Sequence, residues 1–316
     1  MTALPVRLAH ELEIRPEEQR WLIEGLWSAE AVGIVGGEPK CCKSFLVLDM
    51  AVAVASGTPC LRRFPTTGRG SVLLFAAEDS LSVVRQRLVG IAAAAGFALG
   101  DLAIHVITAP TVRLDVDLDQ RRLEDTVRSL RPTLVILDPF VRLHRIDENV
   151  SSEVAPLLDY LRGLQRRYQV AVVLVHHSRK GGSHLRAGQA LRGSSELHAW
   201  GDSNLYLRRN ATDELSLTVE HRAAASMDNL ALALVADGDA LALSVVDTAH
   251  PAALPPLGSP TARVERVLTD ATGPLTQRQV RDQVKLRAAT VSDALAALVS
   301  DGRVSRIDGQ YQRIVR

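Results

Sequence analysis

Cysteine is scarce in this chain: three in 316 residues, two of them adjacent (Cys41, Cys42) and the third at Cys60. That excludes a disulfide framework and points to a reducing, cytoplasmic compartment. Aromatics make up 4% of residues while 47% are hydrophobic, so the core must be built from Ala, Leu and Val. Excess charge is also missing, because 37 basic residues face 36 acidic ones for a net of +1. No global basic field announces a nucleic-acid partner, and any such contact must come from a local patch. A long apolar run is lacking too. The most apolar stretch, Phe45–Ser56, contains Asp49 and falls short of the roughly 20 residues a membrane span needs. The first 20 residues carry Glu11, Glu13, Glu17 and Glu18 with no apolar core, which excludes a signal peptide. No membrane partner is expected.

What is present is an alternation of short aliphatic runs with helical periodicity, the pattern of a mainly parallel α/β sheet. Residues 1–30 read as a lead-in, and a core domain follows over 31–248. Buried strands are predicted at Ala31–Gly36, Val72–Ala77, Ile104–Thr108, Thr133–Leu137 and Val170–His176. Helices are predicted at Lys43–Ser56, Leu81–Ala95, Asp119–Leu130 and Glu153–Tyr168. Ser203–Leu207, Glu214–Glu220, Ala231–Val235 and Ala240–Val246 alternate like antiparallel strands that extend the sheet. A Pro-rich linker over 249–260 leads to 261–316, where three amphipathic helices (Thr261–Ala271, Thr276–Val284, Ala288–Ser300) precede a hairpin turning at Asp308-Gly309. That order predicts a small winged-helix domain.

The chemistry begins after the first strand, at Gly36-Gly37-Glu38-Pro39-Lys40-Cys41-Cys42-Lys43-Ser44-Phe45. Gly37, Lys43 and Ser44 fit the phosphate-binding loop G-x-x-x-x-G-K-[ST] in its strand–loop–helix context. Inward N–H groups and the helix N-terminus would hold phosphate, Lys43 would reach the β/γ oxygens, and the Ser44 hydroxyl would ligate Mg2+. Cys42 stands where the second glycine belongs, in a backbone geometry that penalises a Cβ by about 1 kcal/mol. Three further strands end in functional groups: Asp138 on the Mg2+ side, Glu78 as general base, and His176-His177 near the γ-phosphate. Adjacent histidines face opposite sides of a strand, so they are poor joint metal ligands.

These residues resemble the RepA-like branch of RecA-fold hexameric ATPases, typified by plasmid replicative helicases. The resemblance rests on Gly37-Glu-Pro-Lys40…Lys43-Ser44, Ala77-Glu78-Asp79 with Arg87-Leu88, and Leu137-Asp138-Pro139…Arg142-Leu-His144…Asp147-Glu148-Asn149. His176-His177-Ser178-Arg-Lys180 and Arg192-Gly193-Ser194-Ser195 complete it. It covers about Leu22–Arg222 and implies a RecA-like P-loop core that binds ATP and Mg2+ and works as a ring-shaped homo-hexamer. Lys43, Glu78, Asp138, His177 and Arg192 would be its catalytic residues, with Arg192 an arginine finger into the neighbouring subunit. His176 is the alternative γ-phosphate sensor. Lys180 and the 177–188 loop would face a central channel carrying single-stranded DNA, and Arg222 would also act between subunits. Here Glu220 replaces the Lys of the related Lys-x-Arg pair.

In 261–316, ten basic residues against six acidic ones leave a local net of +4, suited to duplex DNA. Thr290 and Ser292 would start a recognition helix, with Arg303 and Arg306 on the wing. Two other readings remain open from sequence: an ATP-regulated DNA-binding regulator or loader without helicase activity, and an oligomeric scaffold weakened in catalysis by Cys42.

Overall fold

The structure, a computed structural model, describes residues 4–12, 16, 19–177, 195–209, 214–237, 240–246, 260–271, 273–284, 288–307 and 309–313. Arg192, Lys180, most of the 177–188 loop, the linker at 249–259 and Asp308 lie outside these residues.

The lead-in ends in a short antiparallel pair, β1 (Trp21–Ile23) and β2 (Trp27–Ser28). Its Ile23, Leu26 and Trp27 are fully buried in the main core, so the core begins before residue 31. The sequence reading missed this because the pair is too short to show a period. The first core strand, β3 (Val32–Gly37), runs into α1 (Lys43–Ser56), which stops at Gly57 in the left-handed conformation. Next come β4 (Val72–Ala76) and α2 (Leu81–Ala94), the latter capped by the Ser80 hydroxyl, which accepts from the Val83 N–H. β5 (Ile104–Val106), α3 (Asp117–Leu130), β6 (Leu134–Asp138), α4 (Ser151–Tyr168) and β7 (Ala171–His177) complete the parallel part. After the short α5 (Ser195–Trp200), β8 (Ser203–Arg209), β9 (Leu215–His221), β10 (Met227–Asp237) and β11 (Ala240–Val245) form a meander.

One nine-stranded sheet results, in the order β11-β10-β9-β8-β3-β7-β6-β4-β5. β8 lies parallel to β3, whereas β8 to β11 pair with one another antiparallel. Alternate side chains of the parallel strands point to opposite layers. Val35, Leu74, Ile136 and Val173 pack in the core with α1 and α2; Ile34, Leu73, Val135 and Val172 pack in a second core with α3 and α4. Both faces are therefore covered, which is why these strands are continuously apolar.

The predicted elements are found with ends moved by a few residues. The largest change is at β10, which reaches back to Met227 across an irregularity in its register with β9. Toward the C-terminus lie α6 (Pro260–Asp270), β12 (Leu275–Thr276), α7 (Gln277–Val284), α8 (Ala288–Ser300), β13 (Val304–Ile307) and β14 (Gln310–Arg313). The three strands pair antiparallel in the order β12-β14-β13 around a core that includes Val264, Val280, Leu295 and Tyr311. Arg303 is not the free wing residue expected. It lies 2.6 Å from Glu265, a largely buried carboxylate that would otherwise be uncompensated. Arg306 remains exposed, over the Tyr311 ring. Among the described residues no helix is long and apolar enough to cross a membrane.

Candidate active site

The sheet register brings four strand tips together. Gly37 at the end of β3 pairs with His177 at the end of β7, and Asp138 at the end of β6 pairs with Ala76 of β4, two residues before Glu78. Parallel strands align their C-terminal ends, and the crevice beyond them is where open α/β sheets bind ligands. A cavity of about 300 Å³ opens there, lined by Lys40, Cys42, Lys43, Ser44, Phe45, Glu78, Asp79, Arg87, Asp138 and His177, with Ala76 at its floor.

The loop from Gly37 to Cys42 wraps around the Lys43 ammonium. Its Nζ donates to the carbonyls of Gly37 (2.9 Å) and Glu38 (2.8 Å) and lies 3.8 Å from Cys41 Sγ. Burial lowers the Lys43 pKa, opposed by Cys41, Asp138 and Glu78. Gly37 is required by space, since a Cβ there would meet the Leu207 carbonyl oxygen at 2.4 Å and Cys41 Sγ at 2.6 Å. The Pro39 and Cys41 side chains do not line the cavity, and Glu38 contributes its carbonyl. Cys41 is buried, which raises its thiol pKa and keeps it protonated.

Cys42 adopts the left-handed conformation (φ 65°, ψ 23°) at the position before α1, as the missing glycine led us to expect. A Cβ there is strained by about 1–2 kcal/mol, offset in part by the smaller unfolded-state entropy of a non-glycine residue. Cys42→Gly is therefore expected to stabilise the protein by about 0.5–1 kcal/mol, a rise of about 2 °C in Tm. A calorimetric Tm at or below that of the wild type would show that the loop tolerates the thiol without strain.

Asp138 accepts a hydrogen bond from Ser44, and burial lifts its carboxyl to about 6 against the opposing pull of Ser44 and Lys43. No group of three or more His, Cys, Asp or Glu side chains able to hold a metal occurs among the described residues. One carboxylate beside one hydroxyl instead fits Mg2+, which keeps most of its ligands as water and substrate phosphate. Glu78 is engaged on both oxygens. Arg142 Nε stands 3.0 Å from Oε1, and His177 Nε2 stands 3.8 Å from Oε2, too far for a hydrogen bond.

The two histidines separate as the strand alternation requires. His177 lines the cavity, whereas His176 is 2% exposed and faces away, so it is not a cofactor ligand in this pocket. Arg222 is also displaced from the reading: it pairs with Asp202 at 3.5 Å, donates to the Trp200 carbonyl at 3.3 Å, and does not line the cavity. Asp79 and Arg87 were absent from the expected site. They pair with each other, and the Arg87 guanidinium sits 5.1 Å above the Phe45 ring. Their eight-residue spacing, with Arg87 in α2 and Asp79 just before it, is the only hint of this in the sequence.

On the far face of β7, Glu148 lies between two buried imidazoles. Its Oε2 is 3.2 Å from His176 Nε2, and its Oε1 is 3.2 Å from His144 Nε2, the latter in a poorer hydrogen-bonding direction. Burial pushes the Glu148 carboxyl up, but the two histidines outweigh it and hold it at about 2, below its ordinary 4.5. A folded-state pKa below the unfolded one adds stability above 4.5 that disappears as pH falls toward 2, here about 2–3 kcal/mol. The urea midpoint of Glu148→Gln should thus lie below that of the wild type at pH 7, and the gap should narrow between pH 5 and pH 3. A constant gap would mean that the charge contributes nothing.

Comparison with known proteins agrees with this geometry. The family model described as AAA domain (AAA_25) matches residues 2–183. Among solved structures, the ATPase domain of a helicase superposes with a TM-score of 0.53 at 14% identity, covering 68% of this chain and 85% of that one. The RadB recombinase superposes with a TM-score of 0.50 at 16% identity, covering 69% and 92%. Identities this low speak for the fold alone. With the family match spanning more than half of the chain, this protein belongs to the AAA domain family AAA_25 and has a RecA-like P-loop ATPase core.

Proposed function

We propose that the chain binds ATP with Mg2+ and hydrolyses it, as a ring-forming, cytoplasmic RepA-like motor on DNA. The observation that carries the hydrolytic reading is the convergence of Lys43, Ser44, Glu78, Asp138 and His177 on one cavity. Lys43 exchanges its loop carbonyls for the β/γ-phosphate oxygens. Ser44 and Asp138 hold the Mg2+ side, where the cation, when bound, neutralises charge on the phosphates. Glu78 accepts the proton of the attacking water, and His177 beside it contacts the terminal phosphate.

Similarity to a helicase ATPase domain and to a recombinase supports a role on DNA and an oligomer, with six subunits as the RepA-like arrangement. Arg192 and Arg222 are then intersubunit groups, the 177–188 loop faces single-stranded DNA, and the C-terminal helices and strands act as a winged helix on duplex DNA. Replication of a plasmid or other mobile element is the setting this resemblance favours. Strain at Cys42 favours one second reading, a nucleotide-binding scaffold with little turnover. Phosphate release measured with and without single-stranded DNA decides between them. Stimulation by DNA supports the motor. Nucleotide binding without turnover, with activity appearing in Cys42→Gly, supports the scaffold.

A further inference from the structure

The end of β7 is supported unevenly. On one flank Gly36 and Gly37 of β3 pair with His176 and His177. On the other flank pairing with β6 stops at Leu137 and Leu174, so the last residues of β7 extend past their neighbour. The segment after β6 returns to fill that place. Phe140 packs against the His144 ring at 4.4 Å and the His176 ring at 6.2 Å, and Glu148 reaches both imidazoles. The side chains of His144 and His176 are each 2% exposed. His176 Nδ1 has no hydrogen-bond partner among the described residues, so the orientation of that ring rests on Glu148. A carboxylate accepting from Nε2–H also fixes the tautomer.

We propose that Glu148 is a positioning residue for ATP hydrolysis: by holding His176 on the buried face of β7, it sets the backbone that aims His177 into the cavity beside Glu78. The inference rests on the hydrolytic reading given above. His176 and His177 share a peptide bond, and the side chains leave it in opposite directions. A turn of the His176 ring and its backbone moves the His177 imidazole on the other side. A displacement of about 1 Å at a reacting group lowers rates by about 100-fold. The same segment also touches the general base, through Arg142 on Glu78. One loop therefore braces the groups on both sides of the attacking water.

The test is steady-state turnover of the full chain, for wild type, Lys43→Ala, Glu148→Gln and His144→Gln, with each variant held well below its own Tm. Glu148→Gln should lower kcat by about 10–100-fold with KM within about twofold. His144→Gln disturbs the same cluster but leaves the His176–Glu148 contact, so it should lower Tm while kcat stays within about threefold. Should Glu148→Gln not fold, His176→Gln takes its place with the same expected loss of kcat. Wild-type kcat in Glu148→Gln, or losses in both variants that simply track Tm, would overturn the positioning role while leaving the hydrolytic reading intact. A wild-type chain no more active than Lys43→Ala would overturn both.

Discussion

Glu78→Gln should bind ATP with an affinity within about twofold of the wild type and hydrolyse it at least about 100-fold more slowly. Gln has the shape of Glu but cannot take a proton, and a positioned general base contributes about 10²–10⁴-fold. Glu78 stands at the rim of the crevice beyond β4, with half-open surface on the cavity side and Arg142 on one oxygen. That ion pair is well exposed on both partners, at 61% and 42%, so it orients the carboxylate and adds little stability. The variant should accordingly melt within a degree or two of the wild type. Phosphate release read beside a fluorescent-nucleotide titration separates binding from chemistry. Turnover within about threefold of the wild type would place the base on another residue.

The second large effect is expected at Lys43. Lys43→Ala should lose about 10²–10³-fold in turnover, the range for removing a preorganised donor from developing charge. It should also lose the rise in Tm that ATP and Mg2+ give the wild type, about 2.7 kcal/mol at 100 times Kd. Lys43→Arg should do no better. The ammonium is 5% exposed inside a loop whose two carbonyls fit a compact point charge, and a planar guanidinium has no room there. A nucleotide-dependent Tm shift that survives in Lys43→Ala would mean the loop does not hold the phosphates.

Much of this was written along the chain. Continuous Val, Leu and Ile runs bounded by polar residues marked β3, β4, β6 and β7, because a strand covered on both faces needs nothing else. The same runs end in Gly37, Glu78, Asp138 and His177, and parallel strands necessarily bring such ends to one edge. The strained backbone at Cys42 was also foreseeable, since the loop demands a geometry and the residue type reveals the conflict. All of these are local properties, carried by residues a few positions apart.

What tertiary structure alone decided depends on partners far away in sequence. Nothing near His176 says which of the two histidines turns to the cavity; Glu148, 28 residues earlier, and the burial of Phe140 settle it. Arg303 looked like a wing cation until Glu265 was found beside it, and Arg222 a nucleotide contact until Asp202 claimed it. The Arg142–Glu78 pair joins residues 64 positions apart, and the Trp27 ring lies in a core shared with α1. A side chain's charge and size belong to its residue type, but its neighbours are set by how layers pack, and a charge takes its role from what desolvates or pairs it.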